Sequence, residues 1–121
     1  MILELFPQAY TVCQVEKLPE RLPKICFVAK TDKELSLVCP TESVPEETTV
    51  QEDGWRCFRI AGVLDFSLVG ILAGLSGILA EARVGIFAVS TYDTDYILVK
   101  QTELRRAQEA LEKRGYSFVT L

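Results

Sequence analysis

The sequence contains no histidine, so it lacks the side chain that most often serves as a general base and as a metal ligand. None of its four cysteines belongs to a Cys-x-x-Cys pair, the spacing that zinc and redox sites usually need. Cys13, Cys26, Cys39 and Cys57 fall in apolar, strand-like runs, and we expect buried, reduced thiols. The sequence therefore predicts no metal site, no cofactor and no catalytic residue.

A basic stripe and a long hydrophobic run are also missing. The 13 basic and 17 acidic residues give a net charge of −4, and the scattered basic residues argue against a nucleic-acid partner. The longest uncharged stretch, residues 66–80, is shorter than the roughly 20 residues that a membrane span needs. Met1–Pro7 has no basic segment of the kind that begins a signal peptide. These absences predict a cytoplasmic protein without nucleic-acid or membrane partners.

The second half of the sequence predicts an alternation of strands and helices. Its strand-like runs are bounded by turn residues and separated by two segments with helical periodicity. Thr102 can cap the second of these helices, and Gly115 can end it. The order β-α-β-β-α-β predicts an α+β fold of the ferredoxin-like type. The predicted strands are residues 55–60, 86–90, 94–99 and 116–121.

The first helix of this half is predicted over residues 66–82, with Asp65 as its N-cap. Because Gly70, Gly74 and Gly77 lower helix propensity, we expect a sheet or a neighbouring subunit to lie close to them. Apolar residues recur every three or four positions and predict one buried stripe. The stripe consists of Leu68, Leu72, Leu75, Leu79 and Ala82.

The first half reads as a shortened copy of the second. Residues 27–32 (FVAKTD) correspond to residues 87–93 (FAVSTYD), and each motif leads into a second apolar run, as in a hairpin. The first strands of the two halves lie 45 positions apart, whereas their hairpins lie 60 positions apart. The second copy is therefore longer between its first strand and its hairpin, by about the length of one helix. We therefore predict a truncated half at residues 1–48 and a complete domain at residues 49–121. The predicted strands of the first half are residues 10–16, 25–29 and 35–39.

Four segments carry a resemblance to the ACT domain family. They are residues 37–40 (LVCP), 54–56 (GWR), 65–72 (DFSLVGIL) and 87–100 (FAVSTYDTDYILVK). They resemble most closely the aspartokinase-type ACT domains and, more narrowly, small tandem-ACT bacterial proteins of unassigned function that are related to the CASTOR arginine sensors. The resemblance implies a ferredoxin-like ACT domain preceded by a truncated ACT-like half.

The resemblance further implies a regulatory, non-catalytic module that binds a small molecule, in most cases an amino acid, and that pairs into a dimer. Effectors in this family lodge between the first helix of one domain and the hairpin of another. The resemblance thus assigns ligand-binding positions at the start of the first helix and at the turn of the hairpin. These positions are Val63, Leu64, Asp65, Phe66, Ser90, Thr91, Tyr92, Asp93, Thr94 and Asp95.

The chemistry of these residues agrees with an amino-acid ligand. Backbone N–H groups at a helix start favour a carboxylate, and Asp93 or Asp95 can hold an ammonium group by a charge-assisted hydrogen bond. The same residues also have ordinary structural explanations. Asp65 is explained by capping and Asp93 by turn chemistry, and Tyr92 suits a dimer contact as well as a ligand contact.

Three functional hypotheses remain open from the sequence. The first is an amino-acid-binding regulatory protein that acts as a homodimer. The second is a ligand-free interaction module that modulates a partner enzyme. The third is an enzyme on the same fold, and it is disfavoured because the loop at residues 61–65 has no phosphate-binding arginine. The sequence identifies neither the ligand nor the partner.

Overall fold

The computed structural model describes residues 1–65 and 69–121 of the chain. Its strands are β1 (Ile2–Gln14), β2 (Phe27–Lys30), β3 (Leu35–Pro40), β4 (Val50–Ile60), β5 (Ile86–Ser90), β6 (Asp95–Lys100) and β7 (Ser117–Thr120). Its helices are α1 (Ile71–Glu81) and α2 (Leu104–Glu112), and short 3₁₀ turns lie at Thr41–Ser43 and Gln101–Glu103. From β4 onward the order is β-α-β-β-α-β, which confirms the predicted ferredoxin-like α+β fold. Neither α1 nor α2, the helices of the described ranges, is long and apolar enough to cross a membrane.

The chain divides into two compact units. We call Met1–Pro7 together with Arg56–Leu121 the α/β unit, and Gln8–Trp55 the β unit. The strands β1 and β4 each run through both units. This division differs from a simple boundary after residue 48 because the first seven residues belong to the same unit as the second half. That residues 1–48 are a truncated copy of residues 49–121 stays a prediction.

In the α/β unit the strand order is β7-β1-β4-β6-β5. The last strand pairs in parallel with the start of the first, so that Ile2 lies opposite Ser117 and Leu5 opposite Thr120. On the other side of β1, the Ala61 N–H donates to the Ile2 carbonyl at 2.9 Å. The sequence prediction missed this part of β1, because it began the strand at residue 10. Pro7 interrupts the local strand pattern, so the sequence alone does not predict a strand there. Hydrogen bonds to distant segments of the chain stabilise this part of β1 instead.

Both helices bury an apolar stripe in one core with the strands of the α/β unit. Leu75 and Leu79 of α1 are completely buried, and Leu72 and Ala82 pack against the same core, which confirms this part of the predicted stripe. Leu68 lies outside the described residues. The fully or nearly fully buried members of this core are Leu3, Leu5, Phe58, Ile60, Leu75, Leu79, Val84, Ile97, Val99, Leu104, Ala107 and Leu111.

The starts of both helices differ from the prediction. The helix α1 begins at Ile71 after Gly70, whose φ of 82° lies in the left-handed region that glycine tolerates best, so Asp65 is not its N-cap. Thr102 is not the cap of α2, because a 3₁₀ turn precedes that helix and its N-cap residue is Glu103. Short-range patterns place helix ends poorly, since several neighbouring residues can begin a helix and the tertiary contacts choose among them.

The sequence leads us to expect either the sheet or a neighbouring subunit close to the glycines of α1. The sheet does not lie against them. Gly74 and Gly77 are exposed, and a Cβ atom at either position would have no described neighbour within 4 Å. A neighbouring subunit on this surface stays a prediction.

The β unit has the strand order β2-β3-β1-β4 and no α-helix within residues 8–55, all of which the structure describes. β1 and β3 are antiparallel, with Val12 opposite Val38, and β2 and β3 form the predicted hairpin. A small core lies on one face of these strands. It consists of Cys13, Val15, Leu37 and Cys39, with Cys26, Leu35 and Val44 packed against it.

Candidate functional site

A cavity of about 310 Å³ lies in the α/β unit between the start of α1 and the turn that joins β5 to β6. Its volume is at the lower end of the range of about 300–1,000 Å³ that small-molecule sites occupy. The cavity is therefore large enough for a small metabolite. It is lined by Leu64, Asp65, Gly70, Ile71, Leu72, Ala73, Ser90, Thr91, Tyr92, Asp93, Thr94 and Asp95.

The first turn of α1 gives one side of the cavity an affinity for anions. The backbone N–H of Gly74 donates to the Gly70 carbonyl at 2.8 Å and is the first to find an acceptor within the helix. The preceding N–H groups, those of Ile71, Leu72 and Ala73, have no acceptor inside the helix. No side chain of the described residues caps this helix start, and its first turn contains no acidic residue. These donors and the positive end of the helix dipole can hold a carboxylate.

The turn between β5 and β6 forms the opposite side, and hydrogen bonds fix its position. The Thr91 N–H donates to the Thr94 carbonyl at 2.9 Å, which closes the turn. The Leu64 N–H donates to the Asp93 carbonyl at 2.7 Å, so the segment after β4 is tied to the same turn. The buried hydroxyl of Thr94 donates to the Ile60 carbonyl at 2.8 Å. The hydroxyl and the carbonyl of Thr94 thus both bond to the backbone of the protein, and these bonds hold the turn in place.

Carboxylates dominate the charge of the cavity. Asp65, Asp93 and Asp95 line it, and its described lining includes no lysine or arginine. The Ser90 hydroxyl donates to the Asp95 carboxylate at 2.5 Å, which leaves the other carboxylate oxygen of Asp95 for a ligand. The exposed carboxylate of Asp93 makes no hydrogen bond or ion pair with any described residue. This side of the cavity therefore favours a cationic group.

The structure brings eight of the ten predicted site residues to one cavity. Val63 is not among them, and its side chain is 73% exposed. Phe66 lies outside the described residues. The sequence prediction of the site missed Gly70, Ile71, Leu72 and Ala73, because it placed the helix start five residues too early. The signal that could have found them is Gly70 itself, since glycine is also an accepted N-cap residue.

The cysteines do not contribute to this cavity. Cys57, the cysteine of the α/β unit, is completely buried, and burial raises the pKa of its thiol to about 12 although Arg59 acts in the opposite direction. Such a thiol is a poor nucleophile at neutral pH. Within residues 1–65 and 69–121, no group of three or more histidine, cysteine, aspartate or glutamate residues could hold a metal ion.

Solved structures share this fold over nearly the whole chain. Protein Atu0741 of Agobacterium tumefaciens is 28% identical, has a TM-score of 0.88, and is matched over 99% of this chain and 92% of its own. The regulatory subunit of aspartate kinase from Thermus thermophilus has a TM-score of 0.59 over 89% of this chain and 93% of its own. At 9% identity this second likeness shows the fold alone.

Sequence comparison gives the family. A human protein named the cytosolic arginine sensor for mTORC1 subunit 1 is 36% identical over 61 residues, which are 50% of this chain. The matched segment spans only 18% of that sensor. The profile of the ACT domain matches residues 50–113, which are more than half of the chain and include all of its β-α-β-β-α part, from β4 to α2. The chain belongs to the ACT domain family.

Proposed function

We propose that the cavity between α1 and the β5–β6 turn binds a small amino acid and that the protein is a non-catalytic regulator controlled by this ligand. The observation that carries the proposal is the cavity itself, in which a helix start faces a carboxylate-lined turn. An amino acid has a carboxylate and an ammonium group on one carbon atom, and the two sides of the cavity complement these charges. Membership of the ACT domain family and the regulatory subunit among similar structures support the regulatory role.

In this proposal the backbone N–H groups of Ile71, Leu72 and Ala73 hold the ligand carboxylate. The carboxylate of Asp93 accepts a hydrogen bond from the ligand ammonium group, and Tyr92, which is 78% exposed, also lines the cavity. The proposed binding residues thus belong to the first turn of α1 and to the β5–β6 turn, which hydrogen bonds hold in place.

The charge of the cavity favours a basic amino acid. A neutral amino acid brings one ammonium group, whereas the lining carries the carboxylates of Asp65, Asp93 and Asp95. A second positive charge on the ligand would be attracted by a second carboxylate, and charge-assisted hydrogen bonds are the stronger kind. The human relative is named an arginine sensor, which agrees with this choice. We therefore place arginine and lysine first among the candidate ligands.

A thermal-shift screen with each of the twenty amino acids tests the proposal. A ligand that binds only the folded chain raises the unfolding midpoint, and at a concentration of 100 times Kd the gain is about 2.7 kcal/mol. We expect arginine or lysine to give the largest shift, with citrulline as a neutral control of nearly the same shape as arginine. Absence of a shift with any amino acid would favour the ligand-free interaction module, and partner proteins would then be sought.

We also propose that the protein forms a homodimer through the outer face of α1. Ala73, Gly74, Gly77 and Ala80 are exposed on this helix, and none of them carries a charge or a bulky side chain. Such a surface allows two helices to approach closely, and β5 is an edge strand that a second copy could cover. Light scattering at micromolar concentration tests this, with Gly77→Glu as the disrupting variant. A monomer mass for the unchanged chain would contradict it.

The proposed location is the cytoplasm. The support is the human relative, whose name calls it cytosolic. Fractionation of cells that produce the chain with a small C-terminal tag tests this, and recovery in the membrane pellet would contradict it.

A further inference from the structure

The register of the β2–β3 ladder brings together two cysteines of the β unit, one just before β2 and one within β3. Phe27 pairs with Val38 at the end of the β2–β3 ladder, so continuing this antiparallel register by one residue places Cys26 opposite Cys39. The corresponding positions of the other hairpin, Ile86 and Val99, are paired in this way. Cys26 also packs against the small core that contains Cys39.

The position of Cys26 and Cys39 in the hydrogen-bond pattern of the ladder brings them close enough for a disulfide bond. The Thr31 N–H donates to the Glu34 carbonyl, so these opposite residues form a hydrogen-bonded pair. Hydrogen-bonded and non-hydrogen-bonded pairs alternate along an antiparallel ladder, and five steps further Cys26 and Cys39 form a non-hydrogen-bonded pair. The Cα atoms of such pairs are about 4.5 Å apart, within the range of about 4.4–6.8 Å that disulfides span.

Cys13 belongs to the same small core but is not placed for such a bond. It lies opposite Leu37, whereas Cys39 lies opposite Thr11, so Cys13 and Cys39 are diagonal neighbours. Diagonal Cα atoms are about 7–8 Å apart, beyond the reach of a disulfide without backbone movement. The strand β3 separates Cys13 from β2 and hence from Cys26. The register thus selects one pair out of three cysteines.

We propose that Cys26 and Cys39, both free thiols in this structure, form a reversible intramolecular disulfide by exchange with a low-molecular-weight disulfide such as oxidised glutathione. The half-buried Cys26 reacts first: its thiolate bonds to one sulfur of glutathione disulfide and releases one glutathione thiolate. The Cys39 thiolate then attacks the Cys26 sulfur and releases the second. Two protein thiols are oxidised, one glutathione disulfide is reduced, and two protons leave the protein for the two glutathione thiols.

The pH dependence of the exchange follows from the burial of both thiols. Burial raises the pKa of Cys26, and burial together with the neighbouring thiolates of Cys13 and Cys26 raises the pKa of Cys39 to about 11. Because the thiolate is the attacking species, the rate should rise by about tenfold per pH unit from pH 7 to pH 9. A rate that is independent of pH in this range would contradict attack by these two thiols.

Peptide mapping tests the proposal directly, because trypsin places every cysteine in a separate peptide. The full chain is incubated with oxidised glutathione at pH 8, remaining thiols are blocked with N-ethylmaleimide, and the digest is analysed by mass spectrometry. The expected product joins residues 25–30 to residues 34–56, with a mass two hydrogen atoms below the sum of the separate peptides. Recovery of residues 25–30 with a blocked Cys26, or with a persistent glutathione adduct, would overturn the proposal, as would a link to residues 1–17.

Serine variants supply the controls. Cys26→Ser should abolish the linked peptide, and because Cys26 is only half-buried, this variant is the less disturbing of the two partners. Cys57→Ser and Cys13→Ser should both leave the link unchanged. Reduction with dithiothreitol should restore the free thiols and lower the unfolding midpoint of the oxidised chain. These outcomes concern the β unit alone, so they do not depend on whether the cavity of the α/β unit binds an amino acid.

Discussion

The two β-hairpins of the chain, β2–β3 and β5–β6, have the same internal geometry and different surroundings. Phe27 lies opposite Val38 and Phe87 opposite Leu98, so each pair of the second hairpin follows its counterpart by 60 positions. Both turns close with a backbone hydrogen bond of 2.9 Å, from Thr31 to Glu34 and from Thr91 to Thr94. Each hairpin is also followed by a short 3₁₀ turn. The matching register supports the proposal that the two halves are copies.

A helix and a cavity lie beside the turn of the second hairpin. After β4 the chain bonds to Asp93 through the Leu64 N–H and then begins α1, whereas after β1 it continues to β2 without a helix. The first turn, at residues 31–34, is fully exposed. The comparison teaches that the hairpin alone does not form the proposed site, because the N–H groups proposed to hold an anion come from the helix.

The largest effect is expected when the helix that distinguishes the two halves loses its buried contacts. Leu75 of α1 is completely buried, and Leu75→Ala should lower the free energy of unfolding by about 2–5 kcal/mol through lost burial and a residual cavity. Val69→Ala, just before the helix at a position that is 92% exposed, is the matched control and should change stability by less than about 0.5 kcal/mol. Urea denaturation measures both. Equal effects of the two substitutions would mean that the burial of Leu75 in α1 does not contribute to the stability of the core.

A matched pair of turn variants tests whether the two hairpins differ in binding. Asp93→Asn removes a charged hydrogen-bond acceptor from the cavity, worth about 1.5–3 kcal/mol, so affinity for the amino acid found in the screen should fall about tenfold to a hundredfold. Asp32→Asn makes the same change in the turn without a cavity and should leave affinity unchanged. Titration calorimetry measures both. Equal losses would contradict the assignment of the site to the second turn.

Two glycine variants with opposite expected effects on stability test whether α1 begins at Ile71. Gly70→Ala forces an alanine into a left-handed conformation and should destabilise the chain by about 1–2 kcal/mol. Gly77→Ala lies inside the helix with open space around its Cβ position, and it should stabilise the monomer by about 0.5–1 kcal/mol. Thermal unfolding at low protein concentration gives both values. A stabilising Gly70→Ala would mean that the helix begins earlier than Ile71.

The smallest effect is expected from the hydroxyl that ties the second turn to β4. Thr94→Val removes the buried hydrogen bond to the Ile60 carbonyl with little change in shape and should cost about 0.5–1.5 kcal/mol. Thr31→Val, in the first turn, removes an exposed hydroxyl that only accepts bonds from the N–H groups of Lys33 and Glu34, and its cost should be smaller. Chemical denaturation separates the two, and a larger loss for Thr31→Val would reverse the comparison.

Sequence reasoning predicted the parts of this fold that depend on local patterns. The period of the apolar residues identified α1 and its buried Leu75 and Leu79, and the branched runs identified both hairpins. It failed at the start of α1, where Asp65 and Gly70 are both acceptable N-cap residues and sequence spacing does not choose between them. The site prediction included the turn residues that line the cavity. It omitted Ile71 and Ala73 because it placed the helix start too early.

What the sequence determined by itself is therefore the kind and order of the elements, since backbone propensity and side-chain periodicity act within a few residues. The tertiary structure decided which distant segments meet. It paired Ile2–Leu5 with β7 and brought the first turn of α1 and Asp93 to the lining of one cavity. It also set the β2–β3 register, whose extension by one residue places Cys26 opposite Cys39. Such contacts depend on strand register and on the burial of a shared core, and these energies belong to the whole chain rather than to any one segment.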